Sequence, residues 1–432
     1  MPTGSTRSRA VTERELPESA ELDSWPEPAR EVPVIGRPDV LVVGAGSAGV
    51  AAAVAAARSG AQTWLIERSS SIGGLATVGL INLLLTLDDG AGHQVVAGLC
   101  QEFVDRLDAL DRCRFPSRDQ WNREDAELVA RWRGWGLIWG APESVRYSVA
   151  FDPDAFVDVA IAALRDAGVR LRMHTWFAGV GLADGAIAAV LVESKKGREA
   201  ILPRVVVDAT GDGDVFVAAG AEYEQVAIPP HLWFRVGGVV GGARQFVFDT
   251  VDSGRVLVPW GPHAERVDPC DPDDMTRAEL ACREGAAAAF TDLRASDPAF
   301  AHAWLDDYAR MLGITESRRL VGDHVLAKED ADAGFADAIA RTGHWTKRGV
   351  VYEIPYRCLT TPAVGNLLVA GRCISATRYV HQATKEIPAA MATGEAAGTA
   401  AAIAAGAGVG VSDVDVGAVR AALRAAGADV GG

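Results

Sequence analysis

The stretch DVLVVGAGSAGVAAAVAAARSGAQTWLIE, residues 39–67, decides the fold. Its first apolar run, Val40–Val43, is short and β-branched, as a fully buried strand would be. The run breaks at Gly44, Gly46 and Gly49, which have G-x-G-x-x-G spacing. Ala51–Arg58 has near-ideal helix propensity and Gly60 is placed to end the helix. Thr63–Ile66 then reads as a second strand that delivers Glu67. Each glycine has a physical use in such a site: a tight turn at Gly44, backbone approach to a pyrophosphate at Gly46, and close helix–strand packing at Gly49. Ser47 and Ala48 open the helix, whose unpaired N–H groups and partial positive charge face the phosphates. Glu67, 18 positions after Gly49, stands where an acid accepts the hydroxyls of an adenosine ribose. Small residues alone would let any helix sit close to a sheet. Here strand, glycines, helix, second strand and acid come in order, and together they predict a site for an ADP-containing cofactor.

The rest of the chain narrows the class. Its 432 residues suffice for two or three domains with an ample core. The charge sum, 42 − 57 = −15, would repel a phosphate backbone, and no Lys/Arg-rich stripe offsets it, so nucleic acid is not an expected partner. Cys100, Cys113, Cys270, Cys282, Cys358 and Cys373 are scattered without a C-x-x-C, which leaves no cluster or zinc spacing and no metal expected. Free thiols in a reducing compartment are the expectation. Residues 1–31 lack the apolar core of a signal peptide and are too poor in apolar residues to offset ordering entropy, so they are expected to be a disordered tail. The uncharged stretches Val40–Ala57 and Ser69–Leu87 are too glycine-broken for membrane spans. A cytoplasmic protein with no membrane association is expected.

Further along, Arg68-Ser-Ser-Ser-Ile-Gly73-Gly74 forms a second glycine-bearing loop, and Val95–Leu110 has helical spacing. The segment 112–146 holds Trp121, Trp132, Trp135 and Trp139 among seven arginines. Asp152-Pro153 is a strong helix start, for a helix running to Asp166. Val169–His174, Trp176–Gly181, Ile187–Glu193 and Ala200–Val207 read as strands, with Asp184-Gly185 as a hairpin turn. Helices are expected near Met275–Ala289, Phe300–Met311 and Lys385–Ala405, and a last one capped by Ser412 or Asp413. Val350–Ile354 and Asn366–Gly371 read as strands, and Val32–Ile35 as lying along the sheet.

These pieces resemble the FAD-dependent oxidoreductases of the glutathione-reductase-like flavin fold, and most of all the family related to the flavoprotein part of heterodisulfide reductase. The likeness spans about residues 32–427. It is carried by Val40–Glu67, Gly73-Gly-Leu-Ala-Thr77, Val207-Asp-Ala-Thr-Gly-Asp-Gly-Asp214, Phe234-Arg-Val-Gly-Gly238, Glu316-Ser-Arg-Arg-Leu-Val-Gly-Asp323, Ile354-Pro-Tyr-Arg357, Leu368–Ser375 and Met391–Gly398. The resemblance implies an α/β fold: a Rossmann-like FAD-binding domain with a parallel sheet and a β-meander, interrupted by a second α+β substrate domain. The four-stranded run becomes the meander, with its return strand ending at Ala209-Thr210-Gly211 beside the cofactor. The division it implies is a tail at 1–31, FAD-binding parts at 32–90, 151–219 and 349–427, a helical, Trp-rich insertion at 91–150 and a substrate or cap domain at 220–348. It implies FAD, bound without a covalent bond, held by the residues already named together with Arg68, Gly73, Gly74, Ala209, Thr210, Gly211, Gly371 and Arg372. Gly394 and Ala397 are expected on a helix aimed at the flavin's pyrimidine edge. There is no second dinucleotide fingerprint; Gly179-Val-Gly181 has the wrong spacing and no helix after it. Two departures stand out: Arg372 occupies a place where the broader fold often has an acid, and Lys385 one where members commonly have Arg.

The same likeness sets Arg318, Arg319, Lys385 and His381 near the flavin as candidates for catalysis. Each also has a plainer reading. His381 is a general acid/base or a hydrogen-bonded structural histidine. Arg318 and Arg319 divide between pairing with an acid such as Glu316 and clamping an anionic substrate, and Arg235 divides likewise. Cys373 reads better as buried filler than as a reactive thiol. Trp132, Trp135 and Trp139 either pack as one helix face or line an aromatic substrate pocket. The function expected is that of an oxidoreductase passing a hydride or electron pair between a small organic substrate and FAD, with the electron partner and oligomeric state open. The rivals are an electron-transfer protein of the heterodisulfide reductase type without its iron–sulfur clusters and a nucleotide-binding module without redox activity.

Overall fold

The computed structural model describes residues 29–241, 247–261 and 263–432. Most of the expected tail, and residues 242–246 and 262 of the expected cap, lie outside them.

Five parallel strands form the central sheet, in the spatial order Leu367–Val369, Val205–Asp208, Val40–Val43, Thr63–Ile66 and Arg170–Arg172. Every residue of Val40–Val43 is buried, because parallel strands are covered on both faces. The chain leaves this strand through Gly44, at φ +94°, and enters the helix Ser47–Arg58. That helix packs along a second, Ile387–Ala407, and the two are almost wholly buried. Ala, Gly and Thr make up most of both, so their backbones approach closely. A Cβ on Gly394 would overlap the Ala48 carbonyl oxygen, and one on Gly398 that of Ala52.

The antiparallel meander Trp176–Ala183, Ala186–Ser194 and Gly197–Ile201 crosses between the sheet strands Arg170–Arg172 and Val205–Asp208. Two strand readings are corrected here. The expected strand Ala200–Val207 is broken by Pro203, which removes a ladder donor, so its halves lie in different sheets. The expected first meander strand is instead the edge of the parallel sheet, and Val34–Gly36 takes its place by pairing in parallel with Gly197–Ile201.

A second hydrophobic cluster lies around the sheet Phe248–Asp249, Arg255–Val258, Phe234–Gly237 and Trp304–Tyr308, covered by the helix Pro272–Ser296. The helix expected over Phe300–Met311 is instead a short turn, Pro298–Phe300, followed by the strand Trp304–Tyr308. Pairing with Phe234–Gly237 outweighs the local helical spacing. Residues 91–150 divide between the two cores: the helix Gly98–Ala109 packs on the first and the helix Ala126–Gly134 on the second. The hairpin Ala338–His344/Lys347–Pro355 turns at Trp345 and Thr346, so the expected boundary 348/349 falls inside its second strand, and Ile339, Ala340, Tyr352 and Ile354 join the first core. The last helix, Val416–Ala425, is capped by Asp415 rather than by Ser412 or Asp413. No helix among the described residues is long and apolar enough to cross a membrane.

One carboxyl buried at this seam makes stability depend on pH. Glu395, on the helix Ile387–Ala407, is 3% exposed and accepts the Leu99 N–H at 2.9 Å, at the start of the helix Gly98–Ala109. Burial pushes its pKa up from 4.5 to about 7. Between these values the folded state holds a proton that the unfolded chain releases, so this group's contribution falls as pH rises through the window. Glu395→Gln should therefore be more stable than the parent above pH 7, by at most roughly 3 kcal/mol, with the gain vanishing below about pH 4.5. Thermal unfolding across pH checks this; parallel curves for the two proteins would refute it.

Candidate functional site

A cleft of about 1080 Å³, counting its open mouth, runs from the glycine loop to the start of the helix Ile387–Ala407. At one end it is walled by Gly44, Gly46, Ser47 and Ala48, with Gly73 and Gly74 beside them, the Gly73 N–H donating to the Ala45 carbonyl at 2.8 Å. A Cβ on Gly46 would meet no atom within 4 Å, so the backbone there faces open space. On Gly49 it would overlap the Gly44 carbonyl oxygen, and Gly49 does not line the cleft. One glycine thus keeps the cleft open and the other seats the helix, as their positions in the motif require. The helix Ser47–Arg58 has no side-chain cap and no acid in its first turn, so its N–H groups and positive end stay available to an anion.

Glu67 is held by two backbone donors, Ala45 N at 2.9 Å and Ser69 N at 2.8 Å, one on each carboxylate oxygen. Each oxygen keeps a further lone pair for a ribose hydroxyl. Beyond Glu67 a smaller cavity lies between Arg68, Thr175, Trp176 and Phe177, where the Arg68 guanidinium stands 5.4 Å from the centroid of the Trp176 ring. Ala209, Thr210 and Gly211 line the cleft on the far side of Gly44. Their loop is fixed by Asp208, fully buried, whose carboxylate accepts from Thr210 N and Oγ1 and from the Val215 and Phe216 N–H groups. Burial nevertheless raises its pKa to about 6.

Gly371 and Arg372 also line the cleft. Arg372 occupies a place where an acid was the common alternative, and the structure shows what the arginine does. It donates to the Gly211 carbonyl at 2.8 Å, to Asp212 at 2.6 Å and to the Ile314 carbonyl. Three loops around the cleft are thereby tied through one side chain.

The other end of the cleft is built from Leu75, Val78, Ile81, Met311, Ile314 and Thr315, with Lys385, Glu386, Ile387 and Ala390. Lys385 pairs with Glu386 at 2.5 Å. Gly394 and Ala397 do not line it: they sit two to three turns into the helix, and Gly394 is taken up by packing against Ala48. The residues at the helix start are Glu386 and Ile387. Sequence reasoning missed them by starting the helix at Lys385, although Pro388, suited only to a first turn, marked the place.

Of the four residues expected to serve catalysis, Lys385 alone lines the cleft. His381 is fully buried; its Nε2 lies 3.0 Å from the Arg372 carbonyl, and burial with the nearby Lys385, Arg319 and Arg372 charges holds it well below its usual pKa. Arg319, 3% exposed, is engaged by Glu316 at 2.9 Å, Glu224 at 2.7 Å and the Ala376 carbonyl. Arg318 is engaged by the Asp212 carbonyl at 2.6 Å and by Asp214 at 2.5 Å. Arg235 pairs with Asp307 through two bonds, at 2.6 and 2.8 Å. These arginines answer acids of the fold. Cys373 is fully buried, and burial pushes its thiol well up.

The cleft therefore offers an anion site at a helix start, a ribose acceptor, and a long passage to a second helix start. The sequence signature described as FAD dependent oxidoreductase matches residues 39–268 and 242–423. The chain belongs to this family. It is an FAD-dependent oxidoreductase, and FAD is its cofactor. The reading as a nucleotide-binding module without redox activity is set aside. Similar solved structures include a geranylgeranyl bacteriochlorophyll reductase-like protein from Thermoplasma acidophilum, with 15% identity, a TM-score of 0.49, and coverage of 86% of this chain and 80% of that one. A p-nitrophenol 4-monooxygenase from Pseudomonas putida shows 13% identity and a TM-score of 0.49, over 87% and 81% of the two chains. An L-amino acid deaminase from Proteus vulgaris, solved with an insertion deleted, shows 16% identity and a TM-score of 0.41, over 85% and 90%. No curated protein sequence matches the chain.

The residues present fit FAD: Gly46 leaves room for a pyrophosphate at the helix start, and Glu67 for the ribose. Gly46→Val should fold but lose its flavin, because the added side chain enters open cleft. Gly49→Val should lower thermal stability as well, because its side chain enters backbone. Glu67→Ala should weaken FAD by roughly 1.5–3 kcal/mol for each charge-assisted bond lost. Absorbance of the purified proteins and their melting temperatures read these outcomes; a Gly46→Val protein with full flavin content would refute the assignment.

Proposed function

We propose that this oxidoreductase exchanges a hydride or electron pair with a small organic substrate at the Lys385 end of the cleft, and that its FAD is released intact by acid or heat. The observation that supports it is the cleft's polarity of construction: nucleotide-holding backbone at one end, and at the other an apolar wall of Ile81, Met311 and Ile314 beside a single ion pair. Bound FAD would supply the two-electron chemistry there. The chain's own part is to exclude water with that wall and to present a cation. The helix Ile387–Ala407 adds a second positive end, with Glu386 as its N-cap residue paired to Lys385. Lys385 and this helix start would together stabilise negative charge that develops during reduction. In this reading residues 220–337 form the cap over the reacting end, and the finer kinship, to the flavoprotein part of heterodisulfide reductase, rests on the motifs at 207–214, 316–323 and 368–375.

The test is anaerobic reduction of the bound flavin by NADH, NADPH and a panel of metabolites. Once a reductant is found, Lys385→Ala should slow reduction at least ~10-fold while flavin content stays near that of the parent. An unchanged rate would move the chemistry away from Lys385. Arg318→Ala and Arg319→Ala should act mainly on stability, through the acids they leave unpaired, and melting curves alongside the same assay would show it.

A further inference from the structure

Trp121, Trp132, Trp135 and Trp139 pack on the two cores and do not line the cleft. Its Lys385 end is walled instead by Leu75, Val78 and Ile81 on one segment and by Met311 and Ile314 on another. Backbone bonds lock these segments together. The Ile81 N–H donates to the Leu75 carbonyl at 3.0 Å, and the Arg310 and Met311 N–H groups both donate to the Val78 carbonyl, at 2.7 and 3.2 Å. Between Val78 and Ile81 the chain is held at Leu80 with φ +54°, in the left-handed region that a bulky side chain rarely adopts. That turn sends Leu80 into the second core and leaves Val78 and Ile81 on the cleft. Strain is thus carried where an apolar wall is presented.

The charges at this end are closed among themselves. Away from Glu67 and Arg68, the charged side chains that line the cleft are Asp212, Arg372, Lys385 and Glu386. Arg372 is paired with Asp212 at 2.6 Å and Lys385 with Glu386 at 2.5 Å. A charged substrate group would have to displace one of these partners or lie unpaired against the apolar wall, and either is costly where water is displaced. Thr315 differs from all four. The carbonyl before it, of Ile314, is taken by Arg372, and the residue after it, Glu316, is buried and engaged by Arg319 at 2.9 Å and Arg378 at 3.3 Å. Thr315 is fixed between them and lines the cleft, and its hydroxyl has no partner among the described residues. A hydroxyl both donates and accepts, so it can meet either a carbonyl or an alcohol.

We propose that the substrate is an uncharged, largely apolar molecule, with one hydroxyl or carbonyl group hydrogen-bonded to the Thr315 side chain. This rests on the reading that the reacting end of the FAD cleft lies at Lys385. Lys385 and Glu386 stay paired with each other when substrate binds, so a substrate charge finds no free partner. The fixed apolar wall supplies affinity, and Thr315 sets orientation.

The experiment uses the FAD-loaded protein at neutral pH and three probes on one carbon skeleton: cyclohexylmethanol, cyclohexanecarboxylate and cyclohexylmethylammonium. Calorimetry gives the affinity and the visible flavin band reports proximity. The alcohol should shift the flavin band and bind about tenfold or more tighter than either ion. Thr315→Val, close to isosteric, should lose about fivefold in affinity for the alcohol, whereas Thr315→Ser should keep most of it. Flavin content and melting temperature are measured on each variant, and the three-probe comparison, made on the parent, stands whatever the variants do to folding. An ion that binds as tightly as the alcohol, or an alcohol that does not bind, would overturn the uncharged class. An unchanged Thr315→Val would overturn the Thr315 contact. Either failure leaves the Lys385 reduction test standing. Calorimetric binding of the alcohol with no change in the flavin band would instead refute the placement of the reacting end, and the inference with it.

Discussion

The contact between two helices, Ser47–Arg58 and Ile387–Ala407, governs the rest of this molecule. It brings together the first glycine motif and a segment more than three hundred residues later, with no charged or bulky side chain between them. What holds it is shape. Gly394 and Gly398 lie over the backbone oxygens of Ala48 and Ala52, so a single added methyl at either place has nowhere to go. The turn after the sheet strand Leu367–Val369 is caught in the same packing, since a Cβ on Gly371 would stand 2.7 Å from the Ala48 side chain. The cleft is the space left where these three elements cannot close further.

Around that seam the loops are set by polar groups rather than by packing. Asp208 gathers four donors from its own loop, and Arg372 ties Gly211, Asp212 and Ile314 together. A rigid apolar seam with hydrogen-bonded loops at its end can hold a long ligand along its whole length. The site is placed by the seam and shaped by the loops.

Much of this was legible in the sequence, for reasons that can be named. The cofactor half was readable because its requirements are local: a turn that needs φ above zero at Gly44, an open Cβ position at Gly46, an acid at the end of a strand at Glu67. The reacting half was not, because its residues meet only through tertiary structure. Arg318 and Arg319 looked like substrate ligands beside the cofactor, but their acids, Asp214, Glu224 and Glu316, come from two segments about a hundred residues apart. His381 has a helical address one turn from Lys385, yet its side chain turns to the Arg372 carbonyl and away from the cleft. Trp132, Trp135 and Trp139 have the spacing of one helix face, but the helix stops at Gly134 and releases the third ring to a different neighbourhood. Glycine spacing is a statement about backbone, which a sequence carries in order; ion pairing is a statement about neighbours, which it does not.

The pairing of Ala48 with Gly394 and of Ala52 with Gly398 also fixes a length. Both helices run in the same direction, and their small residues interlock at intervals of four. The second helix begins seven residues before its contact at Gly394, the first only one residue before Ala48, so the two positive ends are staggered by six residues, about 9 Å at the rise of an α-helix. The pair thus acts as a ruler with coarse graduations: the offset can change only by whole steps of four residues, about 6 Å, and never by a fraction. A ligand charged at two places along its length is measured by this ruler before any side chain touches it.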